Sequence, residues 1–251
     1  GDLNGIGLET IIKTFSDNRM MEFCTPIIFA SPKVASAHRR AIEILDFSFN
    51  IIDNIKDANP KRANLLNIWQ EEIQITFGKA SPISGKYSFD SLKYASNALK
   101  NKDIDVLVTG PINKSSIQEK VKGFVGHTEF LEGNFTGKAL MIMISNAMKI
   151  AFVTGHIPLI NVKKGITTEN IIAKTKILNS CLKQDFGIRS PKIAILGLNP
   201  HAGENGLLGE EEQKEIIPAI KMLNKTGIIT FGPYPSDSFF TNKNLSAFDA
   251  I

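Results

Sequence analysis

Cysteine is scarce in this sequence of 251 residues, since only Cys24 and Cys181 occur. Two cysteines are too few for a disulfide scaffold or for a cysteine-based zinc site. Their scarcity is typical of proteins in a reducing compartment, and we therefore expect the protein to act in the cytoplasm.

Long apolar runs are also lacking. The longest of them, such as residues 139–144, fall far short of the roughly 18 residues that a membrane-spanning helix needs. The first residues do not have the charged segment followed by an apolar segment that marks a signal peptide. We therefore expect no insertion into a membrane.

No strong excess of charge is present either. Lysine and arginine total 29 against 25 acidic residues, which gives a net charge of +4, and the charges are evenly interleaved. This distribution disfavours a nucleic-acid surface, although it is compatible with small anionic ligands. Hydrophobic residues at 43% and charged residues at 22% indicate a globular chain rather than a disordered or collagen-like one.

Strand-like and helix-like segments alternate along the chain, which is typical of a largely parallel sheet covered by helices on both faces. Ser88 and Thr167 or Thr168 are predicted to begin helices, and Pro218 is predicted to kink or split a later one. The continuous apolar runs that predict strands are residues 25–30, 104–108, 141–145, 149–153, 193–198 and 228–231.

Four of the predicted strands end in loops rich in glycine, proline and polar side chains, namely residues 109–114, 154–156, 199–204 and 232–237. Ligands in open α/β sheets bind outside the carboxyl ends of the strands. Three of the four histidines, His127, His156 and His201, have glycine neighbours in such settings. His38 lies beside Arg39 and Arg40 in a charged helical stretch and is predicted at the surface.

His156 and His201 are a candidate metal-binding pair, because each follows a predicted strand and neutral imidazole is a common ligand of divalent cations. A single loop histidine more often only hydrogen-bonds to the backbone, but two at equivalent strand ends favour a metal. A catalytic zinc usually has three protein ligands, and the residues themselves supply no third. Lys114 either contacts a phosphate or is a solvated charge, and Asp237 either orients a ligand or caps a turn.

Several well-known motifs are absent. No G-x-S-x-G, Walker A or H-E-x-x-H sequence occurs, which disfavours α/β-hydrolase, P-loop and zincin chemistry. The glycine-rich residues 1–7 do not have the G-x-G-x-x-G spacing of a dinucleotide-binding turn.

Six short motifs together span essentially the whole chain. They are Gly1-Asp2-x-x-Gly5-Ile6-Gly7, Gly110-Pro111-Ile112-Asn113-Lys114, Gly126-His127-Thr128-Glu129, Thr154-Gly155-His156-Ile157-Pro158-Leu159, Leu198-Asn199-Pro200-His201-Ala202-Gly203-Glu204 and Gly232-Pro233-x-Pro235-x-Asp237. In type and order these motifs resemble the 4-hydroxythreonine-4-phosphate dehydrogenase family of pyridoxal phosphate biosynthesis. Leu3-Asn4 and Gly155 depart from the family's more frequent residues, but neither change removes a ligand.

The resemblance implies an α/β fold of two α/β/α lobes, like the isocitrate and isopropylmalate dehydrogenases, with the active site in the cleft between the lobes. It implies a homodimer whose interface completes the site. The first lobe is expected in residues 1–125, to be completed by a C-terminal segment, and the second in residues 126–251. The chain is therefore expected to be part of a longer enzyme.

The implied reaction is the NAD-dependent oxidative decarboxylation of 4-phosphooxy-L-threonine, with NADP as the alternative cofactor. The resemblance implies a divalent metal (Zn, Mg or Co) held by three histidines, of which His156 and His201 are two and the third is expected beyond Ile251. It assigns His127 and Thr128 to the substrate near its phosphate, and Asp237 as a catalytic candidate near the metal and substrate. It assigns no residue of this chain to NAD.

Three other interpretations remain open at this point. A sister dehydrogenase would act on a phosphorylated sugar acid such as phosphothreonate or phosphoerythronate. A metal-independent acyl or phosphoryl transferase of related fold would use the same loops to hold phosphate. An inactive, truncated remnant of the fold would do neither.

Overall fold

The computed structural model describes all 251 residues, which form two compact units, Gly1–Lys138 and Ala139–Ile251. The predicted boundary between the two lobes, between residues 125 and 126, differs from this division. The predicted lobes include a further C-terminal segment, so the lobe boundary stays a prediction. No helix combines the length and the apolar character that crossing a bilayer requires.

The first unit contains a three-stranded parallel sheet with the order β1-β3-β2. Its strands are β1 (Ile27–Ala30), β2 (Asn50–Ile52) and β3 (Asn64–Asn67). Its helices are α1 (Gly7–Phe15), α2 (Pro32–Ala41), α3 (Pro82–Lys100), α4 (Lys114–Gln118) and α5 (His127–Asn134). Leu65, in the central strand, is fully buried among apolar side chains of α1, α2 and α3.

The residue that caps the start of helix α3 is Ser81, seven residues before the predicted start at Ser88. The hydroxyl of Ser81 accepts a hydrogen bond from Ser84 N at 3.1 Å, and Pro82 occupies the first turn, where its missing N–H costs nothing. Ser88 instead lies buried inside the helix and donates its hydroxyl proton to the carbonyl oxygen of Ser84.

The strand predicted for residues 104–108 is wrong, because no neighbouring strand forms a ladder with this segment. Ile104 and Leu107 pack on the cluster around Phe29, while Val106 and Val108 are exposed. An apolar run is therefore present, but the backbone pairing that defines a strand is not.

The second unit combines two short strand pairs. Its strands are β4 (Ile142–Ile144), β5 (Lys149–Ala151), β6 (Lys192–Leu196) and β7 (Ile229–Tyr234). Its helices are α6 (Leu159–Gly165), α7 (Thr168–Gln184), α8 (Ile217–Lys225) and α9 (Asn242–Leu245). β4 and β5 are antiparallel, whereas β6 and β7 are parallel. Residues 249–251 hydrogen-bond to both β5 and β6, with Ile251 N at 2.8 Å from Lys149 O and Ala194 N at 2.9 Å from Ala250 O, and so link the two pairs.

Two predictions for the helices of this unit are confirmed. Thr167 caps α7 by accepting a hydrogen bond from Asn170 N at 3.2 Å. Pro218 falls in the first turn of α8, directly after a π-helical turn at Glu212–Ile216, so the predicted single helix is split there.

Candidate functional site

In the first unit, two glycine-rich motifs, residues 1–7 and 110–114, lie against each other although they are far apart in sequence. Asp2 N donates a hydrogen bond to Pro111 O at 3.1 Å. A Cβ built on Gly1 would lie 3.3 Å from the same carbonyl oxygen and 3.7 Å from the Cα atoms of Gly110 and Gly7. Glycine at these positions therefore allows the backbones of residues 1–7 and 110–114 to meet.

The third motif adds a helix start beside a lysine. Helix α5 begins at His127, and no side chain caps its first turn. A Cβ built on Gly126 would lie 3.4 Å from Lys114 Nζ and 2.9 Å from Glu129 Oε2. Uncapped N–H groups at a helix start, together with a neighbouring ammonium group, are suited to binding an anion such as phosphate.

His127 is half-buried and Thr128 is exposed at this helix start. Burial lowers the pKa of His127, and the positive charge of Lys114 lowers it further. The imidazole is therefore held in its neutral form more strongly than a free histidine.

In the second unit, His201 and Asp237 form a direct pair. His201 Nδ1 lies 2.8 Å from Asp237 Oδ2, and the two side chains are 66% and 42% exposed. His201 follows β6 and Asp237 follows β7, and parallel neighbours present their carboxyl ends at the same edge of a sheet. An ionised carboxylate only accepts hydrogen bonds, so Nδ1 carries a proton, and in the neutral imidazole Nε2 then keeps its lone pair.

His156 follows β5 in the same unit and is exposed, with a positive φ of 53°. No three histidine, cysteine, aspartate or glutamate side chains are placed together to hold a metal ion. The structure thus brings Asp237 to His201 but assembles no complete metal site from this chain.

His201 begins an unusual turn. Residues 201–205 all have positive φ, from 44° to 77°, and only Gly203 among them is a glycine. The left-handed conformation costs each of the other four residues roughly 1–2 kcal/mol. Such a turn persists only where the surrounding contacts hold it.

Those contacts come from Glu212, which the sequence analysis did not single out. Its side chain is only 2% exposed. Oε1 accepts a hydrogen bond from Asn199 N at 2.7 Å, and Oε2 accepts one from Asn199 Nδ2 at 2.9 Å. Burial is the largest influence and would raise the pKa of Glu212, but the hydrogen bonds from Asn199 and from the backbone of Glu212 and Leu198 together outweigh it, so the pKa lies below its usual value. Glu212 is therefore a buried carboxylate that stays ionised.

Glu211 extends this network to the surface. Its carboxylate pairs with Lys163 Nζ at 2.7 Å and also accepts a hydrogen bond from Asn199 Nδ2 at 2.9 Å. The hydrogen bond from Lys163, followed by that from Asn199, lowers the pKa of Glu211 to about 2. Asn199 thus connects both glutamates to the turn that carries His201.

His201 has one feature that is common among metal-ligating histidines. Histidines that ligate a metal through one ring nitrogen usually donate the other N–H to a carboxylate or carbonyl oxygen, and Asp237 supplies that carboxylate here. His201 Nε2 is thereby free to ligate, and exposed His156 lies in the same unit.

Comparison with known families gives one match that covers most of the chain. The model described as "Pyridoxal phosphate biosynthetic protein PdxA" matches residues 22–251.

Individual relatives agree with this match. A 4-hydroxythreonine-4-phosphate dehydrogenase of Bacteroides thetaiotaomicron is 46% identical over 254 residues, which cover all of this chain and 69% of the relative. An Oceanobacillus iheyensis protein provisionally named D-threonate 4-phosphate dehydrogenase is 34% identical over 260 residues, covering 100% of this chain and 76% of its own length.

Solved structures give the same result. The crystal structure of a 4-hydroxythreonine-4-phosphate dehydrogenase from Burkholderia phymatum has a TM-score of 0.86 to this chain at 28% identity. The match covers 100% of this chain and 76% of that structure. The predicted α/β fold class is thereby confirmed.

Proposed function

This chain belongs to the PdxA family of pyridoxal phosphate biosynthetic proteins, and from that premise we propose that it oxidises and decarboxylates 4-phosphooxy-L-threonine with NAD. The secondary alcohol of the substrate loses a hydride to NAD and its hydroxyl proton to solvent, and so becomes a ketone. The carboxylate then leaves as CO2, and the carbon that carried it takes up a proton, which gives 3-amino-2-oxopropyl phosphate. NADP is the alternative acceptor.

The pair of His201 and Asp237 is the observation that carries this proposal beyond family membership. Asp237 holds the proton on His201 Nδ1 and so directs Nε2 outward as a ligand. We assign His201 and His156 to a divalent metal, Zn, Mg or Co. When bound, the metal supplies Lewis-acid polarisation of the substrate oxygen, which stabilises the charge that develops there.

The phosphate end of the substrate is assigned to the first unit. Thr128 offers an exposed hydroxyl at the uncapped start of α5, and Lys114 Nζ lies close to Gly126. His127, kept neutral by burial, has a ring N–H to donate to a phosphate oxygen. These groups recognise the phosphate without taking part in hydride transfer.

The second candidate function is that of a related dehydrogenase, which would act on a phosphorylated sugar acid. It is favoured by the Oceanobacillus relative, whose provisional name is D-threonate 4-phosphate dehydrogenase. The identity to the Bacteroides dehydrogenase is higher, 46% against 34%, which favours the amino acid substrate. A transferase of related fold is disfavoured, since these relatives are named as dehydrogenases.

The deciding experiment is a substrate panel followed by NADH absorbance. Purified protein loaded with Co2+ is given 4-phosphooxy-L-threonine, D-threonate 4-phosphate or D-erythronate 4-phosphate, each with NAD and with NADP. We expect the highest kcat/KM with the first substrate and NAD, with CO2 released in equal amount. A higher kcat/KM for a sugar acid would replace this proposal with the second candidate, and no NADH with any substrate would reject both.

The protein is further proposed to act in the cytoplasm as a homodimer. Leu159 and Ile160, adjacent on α6, are 88% and 84% exposed, and neighbouring large apolar side chains at a surface favour burial against another chain. Light scattering of the purified protein measures the molar mass directly, and a monomer at micromolar concentration would contradict the dimer.

A further inference from the structure

Glu212 is the most deeply buried carboxylate near the candidate metal ligands, and no role is yet assigned to it. It begins the π-helical turn Glu212–Ile216, whose last residue is buried in the core of the second unit. The side chain is therefore anchored on a rigid element. A buried carboxylate costs stability unless it is fully hydrogen-bonded, so its retention here needs a reason.

The carboxylate lies directly under the left-handed turn. A Cβ built on Gly203 would lie 2.5 Å from Glu212 Oε2, and one built on Gly197 would lie 3.2 Å from Oε1. The turn therefore packs against the carboxylate with no space for a further atom. Glycine at position 203 is required both by its φ of 77° and by this contact.

Asn199 connects the carboxylate of Glu212 to the start of the turn through hydrogen bonds. Both its backbone N–H and its side-chain amide donate to Glu212, at 2.7 and 2.9 Å. Its own carbonyl oxygen accepts a hydrogen bond from Ala202 N at 3.1 Å, which closes the turn around His201. The backbone on both sides of His201 is thus held, directly or through Asn199, by one carboxylate.

We infer that Glu212 is a positioning residue, whose buried carboxylate holds residues 199–203 so that His201 Nδ1 meets Asp237 and His201 Nε2 is presented to a ligand. The inference rests on the proposed function only in giving that ligand the identity of a divalent metal. In this inference Glu212 acts only through the turn, and its own side chain is buried.

Two variants test the inference from opposite sides. Glu212→Gln keeps the size of the side chain but places an amide donor against the amide donor of Asn199, so one of the two hydrogen bonds is lost. Gly203→Ala leaves Glu212 intact and pushes the turn away from it. Glu210→Gln is the matched control, because Glu210 is exposed and pairs only with Lys214.

The first readout needs neither metal nor substrate. Protein labelled with 15N-histidine gives ring signals from only four histidines. We expect His201 to be the Nδ1–H tautomer in the wild type and in Glu210→Gln, and to shift to a mixture of tautomers in both test variants. The ring signals of His38 and His127, which lie in the other unit, should not change, and an unchanged circular dichroism spectrum checks that the second unit is folded.

The second readout is Co2+ affinity by calorimetry, which should fall about 10- to 100-fold in both test variants and stay unchanged in Glu210→Gln. An unchanged His201 tautomer in either folded test variant overturns the inference. If instead the wild type and His201→Ala bind Co2+ equally, the proposed metal role of His201 is wrong, while the tautomer result still decides the role of Glu212.

Discussion

His201 Nδ1 and Asp237 Oδ2 lie 2.8 Å apart although the two residues belong to different strand-end loops. The parallel pairing of β6 with β7, with Lys192 opposite Ile229, brings the two loops to the same edge. A hydrogen bond of this kind sets the tautomer and the direction of the imidazole before any ligand arrives. Because the imidazole is already oriented, less side-chain entropy is lost when a metal binds.

Replacing Asp237 by asparagine should weaken metal binding. The amide keeps the size of the side chain but no longer supplies a charged acceptor to His201 Nδ1. We expect Co2+ affinity and kcat to fall about 10- to 100-fold with little loss of stability, measured by calorimetry and NADH formation. Asp105→Asn, at an exposed position in the other unit, is the control. Equal Co2+ affinity in both variants would show that Asp237 does not support His201.

Removing the proposed ligands should separate metal binding from phosphate binding. His156→Ala and His201→Ala should each strip the protein of most of its metal, measured by elemental analysis after gel filtration. His127→Ala should keep its metal and raise KM for the phosphorylated substrate, because it removes only a phosphate contact. If His201→Ala retains the metal content and turnover of the wild type, the metal assignment is wrong.

The loops at residues 154–156, 199–204 and 232–237 were predictable, because an apolar run marks the strand that precedes each of them. The loop at residues 109–114 follows no strand, and the contact between His201 and Asp237 depends on the pairing of β6 with β7, which the apolar runs do not reveal. The roles given to these residues and to His127, Thr128 and His156 stay predictions.

Other features depend on tertiary contacts that local patterns do not reveal. His38 was predicted at the surface because of Arg39 and Arg40, yet its side chain is 2% exposed. Its spacing from Val34 and Ala35, both buried on α2, is the helical signal that would have indicated burial.

The left-handed turn is harder to foresee. Histidine, alanine, glutamate and asparagine do not favour positive φ over a continuous stretch, so the conformation is imposed by packing on Glu212. Glu212 is one of three consecutive glutamates, residues 210–212, and no local pattern marks it as buried. Its burial distinguishes it from Glu210, which has the same sequence context.

The protein should lose stability as the pH falls below about 6.5, the usual pKa of histidine. Burial lowers the pKa of His38, although the hydrogen bond to Leu3 O and the charges of Glu9 and Asp2 act against it, and the pKa of His127 is lowered as well. The unfolded chain then binds more protons than the folded one, so this stability is full above pH 6.5 and is lost below it.

Urea unfolding above and below pH 6.5 measures the change in the free energy of unfolding. NMR titration of the histidine rings shows which histidine causes it. His38→Gln should flatten the pH profile while lowering stability at neutral pH by about 1–3 kcal/mol, since the buried Leu3 O loses its ring donor at 2.7 Å. A His38 ring that titrates above 6.5 would contradict the direction of the shift.

Two glycine-to-alanine substitutions in helices should have opposite effects on stability. Alanine ordinarily stabilises a helix interior by about 1 kcal/mol relative to glycine, and Gly133→Ala in α5 should do so because its Cβ would meet nothing within 4 Å. Gly85→Ala in α3 should instead destabilise by about 1–3 kcal/mol, because its Cβ would overlap the backbone of Ser116 in α4. Since α4 follows directly on the loop that ends at Lys114, this variant should also raise KM for the phosphorylated substrate. Urea unfolding of the two variants and the wild type measures both changes in the free energy of unfolding. Stabilisation by Gly85→Ala would show that α3 and α4 do not pack as closely as described.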